Sequence, residues 1–124
     1  MNAIEIARKN FEFVMQEHGA TIQAVEPYGE GNAVLAMLHG YGAEPRWLCG
    51  YAVITDPRAK AVDTDEAHPR MPREITYDGE TDGARIVGFR CAGLDVSVED
   101  VLRMARRTVD VMVSSPHGDP NVAS

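Results

Sequence analysis

Residues 33–38 read Ala-Val-Leu-Ala-Met-Leu, apolar at every position. An edge strand or a surface helix needs a polar side, so a run of this kind reads as a strand covered above and below, in the middle of a sheet. Turn-forming residues bracket it, Gly29-Glu30-Gly31-Asn32 before and His39-Gly40-Tyr41-Gly42-Ala43-Glu44-Pro45 after, which is how antiparallel neighbours are joined. Ile22, Ala24 and Tyr28 mark the strand that precedes it, with Pro27 near its end. Residues 46–55 (RWLCGYAVIT) mark the strand that follows, rich in β-branched and aromatic side chains.

Helical periodicity flanks this meander. Ile4, Ala7, Phe11, Val14 and Met15 recur on one face of residues 2–18, charged residues lie between them, and Gly19 supplies a stop. Ser97 is a suitable N-cap for a last helix, with Glu99 and Asp100 in its first turn. Val98, Val101, Leu102, Ala105, Val109 and Met112 fall on its apolar face, and Pro116 ends it. Between the third strand and this helix lies a hairpin, with Ile75 and Tyr77 facing one way on its first strand and Val87, Phe89 and Cys91 sharing a face on its second. Residues 56–73 carry Pro57, Pro69 and Pro72 among acidic residues and show no periodicity; loops of this length in a compact domain are often functional. The pattern predicts one α+β domain over residues 1–115: an N-terminal helix, an antiparallel sheet of about five strands, a long Pro/Asp-rich loop and a C-terminal helix. Both helices are expected on one sheet face, and residues 116–124 as a flexible tail.

With 124 residues the chain can bury a real core. A net charge of −7 and only two lysines, Lys9 and Lys60, argue against binding to duplex nucleic acid, which needs clustered cations. No apolar run approaches the roughly 20 residues needed to span a bilayer, and charges at Glu5, Arg8, Lys9 and Glu12 interrupt any leader pattern. A cytoplasmic location without membrane contact is expected. Cys49 and Cys91 then read as buried free thiols.

Candidate chemistry is sparse. Asp63, Asp65, Glu66 and His68 alternate in VDTDEAHP, as carboxylates converging on a cation would, but the calcium-loop pattern is absent and a solvated acidic loop is the better reading. His39 and Tyr41 sit in a glycine-framed turn, where side chains are readily presented. Cys91 neighbours Arg90, yet adjacent strand residues point to opposite faces. Arg85 and Arg90 with Tyr77 could hold an anionic ligand or a partner's carboxylate. No nucleophile elbow, phosphate loop or zinc-protease motif occurs. The expectation is a protein with no catalytic residues, metal or cofactor, whose binding residues are Tyr77, Arg85, Arg90, His39, Tyr41, Asp63, Asp65 and His68. Dimerisation through an apolar strand edge or the last helix is compatible with the pattern.

Cys49-Gly50-Tyr51, Ile75-Thr76-Tyr77-Asp78-Gly79 and Gly88-Phe89-Arg90-Cys91-Ala92 together resemble motifs of small uncharacterised phage-type accessory proteins. The likeness covers about half the chain, from Trp47 through the last helix. Members of that group carry His-Gly-Gly before the Thr-Tyr strand and a histidine after Cys-Ala; this chain has Pro72-Arg73-Glu74 and Gly93 instead. The resemblance implies a phage-type accessory protein and supplies no activity; by analogy with small acidic phage proteins, the expectation is a non-enzymatic, anti-CRISPR-like counter-defence inhibitor that binds a host protein through the sheet's open face and the 56–73 loop. Two alternatives stand beside it. One is a protein that sequesters a small anionic ligand such as a signalling nucleotide, and the other is an acidic secretion-chaperone-like module, which would normally place a helix where this chain has its proline loop.

Overall fold

In the computed structural model the chain is described at residues 1–40, 46–91 and 96–114. Helix α1 (Ala3–His18) precedes strands β1 (Thr21–Tyr28), β2 (Asn32–His39) and β3 (Trp47–Ile54). A one-turn helix α2 (Thr64–Ala67) lies between two 3-10 turns, Pro57–Ala59 and His68–Arg70. Strands β4 (Ile75–Thr81) and β5 (Ala84–Cys91) and helix α3 (Val98–Val113) complete the fold. This is the α+β class expected, with one long helix before and one after the five strands of an antiparallel sheet in chain order. Tyr41, residues 92–95 and the expected tail at 116–124 lie outside the described residues.

Local chemistry explains where the elements begin and turn. Asn2 caps α1 by accepting from the Glu5 amide at 2.9 Å while the Glu5 carboxylate accepts from the Asn2 amide, and Ser97 and Asp100 form the same reciprocal box on α3. Asp82 and Gly83 both have positive φ, 49° and 84°, the backbone twist that a two-residue hairpin turn between β4 and β5 requires.

The strand order is β1-β2-β3-β5-β4, every neighbouring pair antiparallel. Side chains alternate across the sheet, so its two faces bury separate clusters. Leu35, Met37, Tyr51, Val53 and Ile86 pack with Ile6, Ala7 and Phe11 of α1. Val34, Ala36, Ile54, Val87 and Phe89 pack with Val101, Leu102, Val109 and Met112 of α3. The helices therefore lie on opposite faces, not on the shared face expected. The cause is visible in β2 itself, since a strand apolar on both sides leaves exposed hydrocarbon unless each side receives a cover.

The segment from 56 to 73 also departs from expectation. It folds inward over the α3 face, burying Ala59, Val62 and Ala67 against that cluster. Arg85, on the same face of β5, fastens it: its guanidinium donates to the Ala59 carbonyl at 2.9 Å, to the Val62 carbonyl and to both oxygens of Asp78. Among the described residues no helix is long and apolar enough to cross a membrane.

Candidate functional site

Three cross-strand steps assemble a groove on the α1 side. His39 ends β2 opposite Trp47 at the start of β3, and Cys49 pairs with Arg90 on β5. With a two-residue period, Trp47, Cys49 and Tyr51 point to one face. Tyr51 in turn stands opposite Gly88. A Cβ at position 88 would come within 2.5 Å of the Tyr51 ring, so the glycine is what lets that ring lie over β5.

Tyr77 reaches the same face through an irregularity. The β4–β5 register shifts between Ile75 and Tyr77, leaving Ile75 opposite Phe89 and packed with the α3 cluster while Tyr77 stands opposite Gly88 on the α1 side. The expectation that Ile75 and Tyr77 face one way is thus corrected. An extra residue in one strand resets the alternation, and Thr76 takes that position.

Phe11 of α1 closes the groove from above, its ring centroid 4.4 Å from that of Tyr51, and Tyr77 meets Tyr51 edge-on at 5.7 Å. Asn10 donates to the Tyr77 hydroxyl at 3.3 Å. At the other end Arg90 reaches over Trp47, its Cζ 4.2 Å from the ring centroid, and the His39 ring is nearly parallel to the indole. The space enclosed is about 380 Å³. Phe13, 69% exposed, stands at its lip.

Two polar groups form the floor. His39 is buried, and its Nε2 lies 3.1 Å from the Tyr51 hydroxyl. Burial lowers the His39 pKa from its ordinary value of 6.5, so the ring is neutral at pH 7. Burial likewise pushes the Cys49 and Cys91 thiols up from 9.0. Both are free and buried, and they lie on opposite faces, Cys91 in the α3 cluster. The separation of Arg90 from Cys91 holds as expected.

The remaining candidates lie elsewhere. Arg85 is on the α3 face, its donors engaged by Asp78 and by the loop carbonyls, so it does not join Arg90 and Tyr77 in one pocket. Asp63 caps α2, accepting from the Asp65 amide at 2.9 Å. Asp65 and His68 line a second, polar cleft of about 360 Å³ with Glu74 and Asp78, which Tyr77 also borders. His39 and His68 thus serve different clefts. Among the described residues no group of three or more His, Cys, Asp or Glu side chains converges to hold a metal.

Phe11, Phe13, Trp47 and Tyr51 are groove residues that the sequence reading did not single out. The signal was present in β3, where stepping by two from Trp47 gives Cys49 and Tyr51, but only the β3–β5 register ties that row to Arg90. Compared with protein-family models, with curated proteins and with solved structures, the chain matches none.

Proposed function

We propose that this is a non-enzymatic binding protein that acts by occupancy and engages its partner through the groove between α1 and the sheet. The observation that carries the reading is the convergence of Phe11, His39, Trp47, Tyr51 and Tyr77 with Arg90 on one concave surface. Apolar concavities with a few directed polar groups are the usual form of a recognition site. Burial favours the protonated Cys49 thiol, a poor nucleophile. The sequence likeness to phage accessory proteins supports a counter-defence setting in which the partner is a host component, with Phe13 at the lip as a first contact.

Native mass spectrometry of protein isolated gently from infected host cells tests this. Wild type carries a bound partner or ligand, which Phe13→Asp and Arg90→Glu remove and Arg107→Glu, on α3, leaves in place. Both groove positions are exposed, so the fold tolerates these changes, as circular dichroism checks. A bare wild-type protein, or an adduct that survives both groove variants, refutes the reading.

A second reading, the acidic secretion-chaperone-like module, is favoured by one observation. Helical turns including α2 occupy the connection between β3 and β4, where the sequence suggested only a loop. It requires a stable dimer in light scattering, and a monomer at high concentration removes it.

A further inference from the structure

The charge and size of the groove specify what it takes, an inference that rests on the groove being the recognition site. Acidic residues outnumber basic ones 19 to 12 in this chain, yet among the described residues no aspartate or glutamate lines the groove. Among the described residues its one charged side chain is Arg90, which forms no ion pair with any of them. Trp47 holds the guanidinium by a cation–π contact, which uses none of its N–H donors, and these can donate to an anion. The His39–Tyr51 pair and the Tyr77 hydroxyl add neutral hydrogen-bonding groups along aromatic walls. At about 380 Å³ the space sits near the small end of ligand sites, which run from roughly 300 to 1,000 Å³. It has room for one ring system with a short substituent.

We propose that the groove binds a planar aromatic or heteroaromatic ring bearing a carboxylate or phosphate, the ring among the aromatic side chains and the anion on the Arg90 guanidinium. Such a group is carried by a free aromatic acid or by a nucleotide. Phosphate and carboxylate probes tell these sources apart.

Trp47 is the chain's single tryptophan, so its emission reports occupancy directly. Titration with AMP against adenosine, and with 4-hydroxybenzoate against 4-hydroxybenzamide, is the experiment, with acetate and inorganic phosphate as ring-free controls. The anionic member of at least one pair binds about tenfold tighter than its neutral counterpart, the worth of one charge-assisted hydrogen bond. Arg90→Met abolishes that difference and leaves neutral-ring binding unchanged. The pair with the larger difference identifies the source. Equal binding of charged and neutral rings, an unaltered Arg90→Met protein, or ring-free anions binding as well as ringed ones overturns the proposal. If neutral rings still bind, the groove reading stands and only the anion inference falls. If no ring compound perturbs Trp47 at millimolar concentration, the inference falls. When the mass-spectrometric adduct also persists in the groove variants, the groove reading falls with it.

Discussion

His39 sits in a ring-lined environment with its Nε2 against the Tyr51 hydroxyl, and burial alone lowers its pKa below 6.5. Its effect on stability has a definite sign. Above pH 6.5 the folded and unfolded chains both hold the imidazole neutral, and the fold keeps its full stability. As pH falls below 6.5, the unfolded chain binds a proton that the folded chain refuses, so stability declines until the folded-state pKa is passed. Asp56, held low by its hydrogen bond to the Arg58 side chain, and Asp100, held low by the Ser97 amide, lose their contributions only as pH drops through 3.8 and below. Among the groups whose titration the fold shifts, His39 therefore governs the range between 6.5 and 3.8. Thermal unfolding at pH 7 and pH 5 should show a fall in Tm for wild type and a clearly smaller fall for His39→Gln, which stays neutral at both. Equal falls in the two proteins would mean that the His39 environment does not disfavour the cation.

At the scale of elements, the connection between β3 and β4 is fastened to the sheet by Arg85 as well as by the burial of Ala59, Val62 and Ala67. Arg85 is only 13% exposed, and it spans from Asp78 on β4 to the Ala59 and Val62 carbonyls. Arg85→Met keeps the apolar stem but strands those carbonyls and the Asp78 carboxylate, which should cost about 1–3 kcal/mol. Urea denaturation should show that loss, and trypsin should cut the folded variant faster at Arg58, Lys60 or Arg70. Unchanged stability with unchanged cleavage would show that the guanidinium does not fasten the segment. Nothing in the sequence around residues 56–73 discloses this clasp, because Pro57, Pro69 and Pro72 read as irregular chain and Arg85 is remote in sequence. The strands were legible for the opposite reason: their apolar runs and turn residues are local, as in 33–38 and in Asp82-Gly83. The groove falls between these cases. His39, Tyr77 and Arg90 could be named from residue type, but the bulge between Ile75 and Tyr77 that brings Tyr77 to that face depends on pairing with β5. The opposite placement of the helices was implicit in the two-sided apolar run of β2.

For the molecule as a whole, the sheet separates two layers that share no helix–helix core. Helices α1 and α3 are each 16 residues long and each begins with a capping box, so their starts are fixed alike. Their burial differs. Helix α1 buries Ala3, Ile6, Ala7 and Phe11, two of them alanines, while α3 buries Val101, Leu102, Ala105, Thr108, Val109, Val111 and Met112 and is packed further by Ala59, Val62 and Ala67. Local opening follows the apolar surface that must be exposed, so α1 should detach at a lower free energy than α3 or the central strands. That weaker layer is also the roof of the groove, through Phe11 and Val14. Native-state hydrogen exchange should therefore show amides of 3–18 exchanging ahead of those of 98–113 and of β2, β3 and β5. A saturating ring anion should slow α1 selectively and leave α3 unchanged, since only α1 contacts the groove. Protection of α1 equal to that of α3 in the free protein would contradict the burial argument. Equal slowing of both helices by ligand would mean that the ligand stabilises the global fold without bracing the roof.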